Sequence, residues 1–265
     1  MMVDDMRNLL LTFVFSFIWG LNCFAACDPV TDPCAPKKDL NAWQKSLAFG
    51  YNATSGNSDT SLFTALSELY KETASDAWKF NLAYSFGEDK NRTTSETEDD
   101  LGDTTRNDLR TGGNYKYSMT ERTFAGFDSN LLYDEVAEID YRITTVPTLG
   151  YYFLKDADFN FFGEAGPGYI FEKVGGVDDD YLAPKIGEGF TWTISCTSKI
   201  FQKANVLVDV NDSDNYLVNA ELGVESALSS MLSLVFLARE TYDNQPAEGL
   251  EKEDLAIITA LKVAL

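Results

Sequence analysis

None of the 265 residues is histidine. Its absence excludes serine–histidine and cysteine–histidine nucleophiles, His-ligated metals and the commonest general acid–base group. What remains for chemistry is charge. Lys79, Arg110, Lys116, Arg142, Glu164, Lys185, Glu188, Asp209, Glu221, Glu225, Arg239 and Lys262 stand inside otherwise apolar, alternating stretches. An ion placed there needs an opposite partner. Glu164 and Glu188 could act as paired carboxylates in acid–base catalysis, but they read more simply as members of an ion-pair network. Two acidic runs, "ETEDD" (Glu96, Glu98, Asp99, Asp100) and "VDDD" (Asp178, Asp179, Asp180), offer hard oxygens suited to weak, diffuse Ca²⁺ or Mg²⁺ binding. Neither has the spacing of a dedicated loop site, and no cofactor is expected.

These charges are positioned by strands. "WKFNLAYSF" sets Trp78, Phe80, Leu82, Tyr84 and Phe86 on one face and Lys79, Asn81, Ala83 and Ser85 on the other. "IDYRITTVPTLGYYF" alternates in the same way. A period of two over such lengths is strand, not helix. Punctuation predicts about twelve strands, near 44–54, 60–71, 77–87, 106–118, 123–133, 139–153, 159–173, 181–195, 201–210, 216–227, 232–242 and 254–265. Long alternating segments in an even number predict an all-β fold, an antiparallel up-and-down transmembrane β-barrel. Inward parity puts the charged residues above in its lumen.

The connections alternate between short, charge-balanced turns ("KETASD", "MTERT", "KDAD", "SCTSK", "LSSM") and longer segments ("GEDKNRTTSETEDDLGDTTR", "YDEVAEID", "KVGGVDDDY", "YDNQPAEGLEKED"). This predicts periplasmic turns at one end and acidic external loops at the other. Trp43, Trp78 and Trp192 fall near the short-turn end. Tyr133, Tyr141, Tyr181, Tyr216 and Tyr242 fall near the other, as two aromatic girdles would. The net charge of −21 argues against nucleic acid as a partner.

The N-terminal "MRNLLLTFVFSFIWGLNCFAACDPV" has a basic residue, an apolar run and small residues at Ala25 and Ala26, the pattern of a Sec-type signal peptide. It predicts a cleaved segment 1–26, a short periplasmic segment 27–43 and a barrel over 44–265. Cys27 is open to two readings, lipidation at "FAAC" or pairing with Cys34.

Gly166, Pro167 and Gly168 interrupt one predicted strand, and Pro147 and Pro184 fall in the strands on either side. Proline cannot donate to a ladder, and a closed barrel has no edge to hide it on. A bulge at Pro167 and an irregular wall sector are therefore expected.

With "YNATSGNSDT", "EAGPGYIFE", "IGEGFTW", "DSDNYLVNAELGVE" and "LSLVFLARETYD" in order, the chain resembles the domain-of-unknown-function 481 family over roughly Gln44 to Leu265. Members of that family are described as salt-induced outer membrane proteins. The resemblance implies an outer-membrane β-barrel with no assigned activity. The chain departs from the usual barrel end in finishing on Leu265 rather than an aromatic.

These readings lead to a non-enzymatic barrel in the outer membrane of a Gram-negative-type bacterium, structural or narrow and plugged, with an acidic external face. The alternatives are a small conducting pore or a His-independent lipid-modifying enzyme. Expected partners are outer-membrane lipid and lipopolysaccharide, bridged by divalent cations, and the outer-membrane assembly machinery. Within the lumen, Glu164 is expected to pair with Arg142 or Lys185.

Overall fold

The computed structural model describes residues 42–54, 60–89 and 103–265. The segments 1–26 and 27–41, including Cys27 and Cys34, lie outside them, as do Glu96, Glu98, Asp99 and Asp100. The strands are β1 (Gln44–Thr54), β2 (Thr60–Glu72), β3 (Asp76–Asp89), β4 (Asp103–Ser118), β5 (Thr123–Asp134), β6 (Ile139–Lys155) and β7 (Phe159–Gly166). They continue with β8 (Tyr169–Val174), β9 (Val177–Leu182), β10 (Lys185–Ser195), β11 (Ser198–Val208), β12 (Tyr216–Ala227), β13 (Leu232–Asp243) and β14 (Glu253–Ala264). Every pairing is antiparallel, and β1 pairs with β14 from Ser46 opposite Ala264 to Phe49 opposite Leu261. The sheet is closed.

Fourteen segments build twelve wall strands, because β7 with β8 and β9 with β10 are each one strand interrupted. The interruptions form a row. Thr145 faces Tyr169 and Leu149 faces Ala165, so Pro147 lies level with Pro167. Leu182 faces Tyr169 and Lys185 faces Gly166, which brings Pro184 level with the same gap. Three residues lie between the flanking pairs on β6 (146–148) and three on the β7–β8 strand (166–168), so no residue is inserted. The expected bulge at Pro167 is therefore corrected: the ladder loses bonds without losing register. Glycine is needed here for close approach. A Cβ on Gly166 would overlap the Pro147 carbonyl, and one on Gly168 would overlap the Ala183 carbonyl.

The wall is inverted relative to a soluble core. Leu47, Phe49, Phe80, Leu82, Leu149, Phe236 and Ile257 are exposed, whereas Asp108, Asp128, Arg142, Glu164 and Lys185 are buried. Outward apolar and inward polar residues on one closed sheet fit a hydrocarbon surround. The exposed Trp78 stacks on Phe80 at the short-turn end, and Tyr216 stacks on Tyr242 at the other. Tyr181 departs from the expected girdle. It points inward, is buried, and donates to Glu172.

Inside, three aromatics each cover a glycine directly opposite on the neighbouring strand: Phe124 over Gly150, Phe162 over Gly189 and Phe201 over Gly223. Such pairs let a tightly curved wall keep packing where a Cβ would collide. Short turns close through side-chain oxygens: the amides of Asp76, Thr123 and Leu232 donate to Thr73, Thr120 and Ser229 at 2.9, 2.9 and 3.1 Å.

Two expected long connections are tight. β8 and β9 are joined by Gly175 and Gly176 alone, with φ of 57° and 78°. This positive-φ pair makes the two-residue hairpin turn that matches strand twist. "VDDD" is therefore strand, not loop. β5 and β6 are joined by 135–138, with Glu138 at φ 53°.

Candidate functional site: a charged lumen

Strand alternation aims four bands of charge into the lumen. Toward the short-turn end, Lys79 Nζ lies 2.7 Å from Glu68, Lys262 lies 4.0 Å from Glu68 and 3.2 Å from Glu225, and Lys199 lies 3.2 Å from Glu225. This arc of alternating sign runs over β3, β2, β14, β12 and β11. Farther along β12 and β13, Arg239 Nε donates to Glu221 at 2.7 Å.

The opposite wall holds a denser node. Lys185 Nζ donates to Asp128 at 2.5 Å and to Glu164 at 2.8 Å; Lys116 Nζ lies 3.4 Å and Lys203 Nζ 3.9 Å from the same Glu164. Asn114 donates to Asp128. Lys116 also rests over the Phe124 and Phe162 rings, 4.3 and 4.0 Å from their centroids. Side-chain exposure is 5% for Lys185, 1% for Glu164 and 4% for Asp128. By contrast, Lys79 is 48%, Lys203 42% and Glu221 38% exposed although all three point inward. Solvent reaches these three side chains, whereas Lys185, Glu164 and Asp128 at the centre of the node are shut away from it.

Toward the long-loop end, Arg142 on β6 pairs with its cross-strand partner Glu172 and donates through Nη2 to Asp243 on β13 at 2.7 Å. β13 lies five wall strands away, so this guanidinium spans the mouth. Beside it Val146, Ile170, Tyr181, Ala183, Leu207 and Leu217 form a buried apolar cluster that fills one corner. Asp108 on β4 accepts from Arg106 and Arg110 at 2.5 and 3.2 Å.

The structure thus gathers Lys79, Arg110, Lys116, Arg142, Glu164, Lys185, Glu221, Glu225, Arg239 and Lys262 into the lumen. Of the two partners expected for Glu164, it meets Lys185; Arg142 is taken by Glu172 and Asp243. Glu188 is a correction. Lys185, Gly187 and Gly189 face inward on β10, and a strand with no irregularity between 185 and 189 must turn Glu188 outward. Asp209 sits just past β11, where its Oδ1 accepts the Asn211 amide at 2.8 Å and shapes the rim connection. Asp178 and Asp180 on β9 accept from the hydroxyls of Tyr141 on β6 and Tyr169 on β8, away from the lumen. Among the described residues no group of three or more His, Cys, Asp or Glu is arranged to hold a metal ion.

Sequence reasoning passed over Glu68, Asp108, Asp128, Glu172 and Asp243, the acids that complete these pairs. Their parity was readable: Asp128 falls between Phe124 and Leu132 on the inward face of β5. What it lacked was a partner nearby in the chain.

A closed antiparallel barrel of twelve wall strands, apolar outside and ion-paired inside, is a transmembrane β-barrel of the outer-membrane type. The protein-family model described as a protein of unknown function, DUF481, matches residues 47–264. The chain belongs to that family. Among solved structures it is similar to the COG4313 outer membrane channel from Pseudomonas putida F1, at 10% identity over 89% of this chain and 100% of that one, with a TM-score of 0.50. It is also similar to the NanC porin (8% identity, 83% and 97% covered, TM-score 0.48). A third is the translocator domain of the autotransporter NalP from Neisseria meningitidis (11%, 98% and 95%, TM-score 0.46). At 10% identity the likeness to the COG4313 channel speaks to the fold alone. No curated protein matches the chain in sequence.

Proposed function

We propose that this protein is a non-enzymatic barrel of the outer membrane of a Gram-negative-type bacterium, with a lumen closed by its own ion pairs. The observation that carries this reading is Arg142, which reaches from β6 to Asp243 across the mouth while Lys185 and Glu164 fill the wall below. Such links favour a stiff, closed barrel over an open one. The long-loop end is then external, and its acids, "ETEDD" included, meet lipopolysaccharide phosphates through bridging divalent cations. The assembly machinery inserts the barrel after export.

A second reading, a small conducting pore, is favoured by the solvent that reaches Lys79, Lys203 and Glu221. Single-channel recording in a planar bilayer separates the two. The closed reading expects no unitary steps from the wild type; regular steps at low voltage establish the pore. Incubation with labelled phospholipid and lipopolysaccharide tests the remaining alternative, and any turnover would replace the non-enzymatic reading.

A further inference from the structure

The outer wall of β10 and β11 carries a polar pair that hydrocarbon does not favour. Glu188 shares its outward parity with Ile186 and Phe190, and Gln202 shares its own with Ile200 and Ala204. Both are half-buried, and Gln202 Nε2 donates to Glu188 Oε1 at 3.4 Å. That bond uses one carboxylate oxygen and one amide hydrogen. A second oxygen and a second N–H are left for a neighbour, and an acyl chain supplies neither. Both residues lie inside the apolar band, short of Trp192 near the short-turn end: Glu188 is four residues before it along β10, and Gln202 is level with Phe190, two residues before it.

The surroundings are shallow. Glu188 is flanked in register by Gly163 on β7 and Ala204 on β11, and Ala204 by Ala220 on β12. Gly163 is covered by the Phe153 ring, but Ala204 and Ala220 leave the β11–β12 side of the pair low enough for another wall to come close. The carboxylate and the amide are diagonal neighbours on adjacent strands, one an acceptor and the other a donor. The set is therefore self-complementary. A twofold axis along the membrane normal between β10 and β11 would bring Gln202 of one copy against Glu188 of the other, twice over. A partner bearing only cations would leave the amide unanswered.

We propose that the β10–β11 outer face is the surface through which two copies of this chain associate within the membrane. The inference needs only that the barrel sits in lipid; it holds whether or not the lumen conducts.

Energy transfer between separately labelled populations in phosphatidylcholine vesicles, followed over a range of protein-to-lipid ratios, tests it. Wild type should associate. The double variant Glu188→Leu with Gln202→Leu should need about a hundred times more protein per lipid to reach the same transfer, the worth of the two symmetry-related hydrogen-bonded contacts it removes. Leucine suits a lipid-facing site, so this variant should still fold, and heat-modifiable gel mobility verifies that. Ser129→Leu, on the outer face of β5, should leave association unchanged. Wild type that stays monomeric at every ratio overturns the proposal, even if a different polypeptide occupies the face in native membranes. A double variant that associates like wild type overturns it equally.

Discussion

Arg142 and Asp243, 101 residues apart in sequence, meet at 2.7 Å across the lumen mouth. Arg142 is also held by Glu172, whose second oxygen accepts the Tyr181 hydroxyl at 3.0 Å. Four side chains from β6, β8, β9 and β13 thus form one chain of bonds. The side chains of Arg142 and Asp243 are almost buried, so each is costly to leave alone.

Removing Arg142 should open the mouth. Arg142→Ala is expected to give unitary conductance where wild type gives none, and Asp243→Asn a smaller effect because Glu172 keeps the arginine. If Arg142→Ala stays silent in a planar bilayer, closure does not depend on this link.

The interior glycines should resist a methyl group. A Cβ on Gly150 would overlap the Phe124 ring, and Phe124 is itself fully buried. Gly150→Ala should cost about 1–3 kcal/mol in denaturant titration of the folded barrel. Phe124→Leu in the same chain should recover part of that loss. A Gly150→Ala barrel as stable as wild type would mean that the ring has room to move.

Sidedness follows from the turns. Trypsin added to intact cells should cut at Lys252, in the 244–252 connection of the long-loop end. It should spare Arg122 in the tight 119–122 turn at the other end. Cleavage at Arg122 with Lys252 intact would show that the barrel is inserted the other way round.

Much of the wall was legible in the sequence, because alternation and turn residues are local signals. The strands expected at 44–54 and 216–227 have the bounds of β1 and β12, and the double break at the Pro-Gly row was visible in composition. Local signals also misled. "KVGGVDDDY" reads as a loop by its glycines and acids, yet Gly175 and Gly176 can close a hairpin in two residues. Glu188 reads as a lumen ion-pair member beside Lys185, yet three steps along a regular strand reverse the face. The pairs across the lumen were not legible. Which wall faces which depends on strand tilt and stagger around the whole barrel, and no local pattern records that for Arg142 and Asp243.

The last prediction concerns Glu164. Its carboxylate is 1% exposed and meets Lys185 at 2.8 Å and Lys116 at 3.4 Å, with Lys203 at 3.9 Å. Truncation leaves those lysines facing one another, with Asp128 the acid that remains bonded to Lys185. Breaking a buried pair by deleting one partner costs roughly 3–5 kcal/mol, whereas a solvated pair is worth about 0–1 kcal/mol. Because Glu164, Lys185 and Asp128 are buried, Glu164→Ala should fall in the upper range, read as a shift in the denaturation midpoint of detergent-folded barrel. Adding Lys185→Met strips the buried Asp128 of its lysine, so that double variant should recover little. Adding Asp128→Asn as well removes the whole charged set and should recover much of the loss, since an apolar or neutral replacement of buried ions is often tolerated. The same variants separate plug from pore. A large loss with a silent bilayer before and after substitution supports the closed lumen. A loss near 1 kcal/mol together with new or larger conductance in Glu164→Ala would mean that water already bathes the node, and the closed reading would fall.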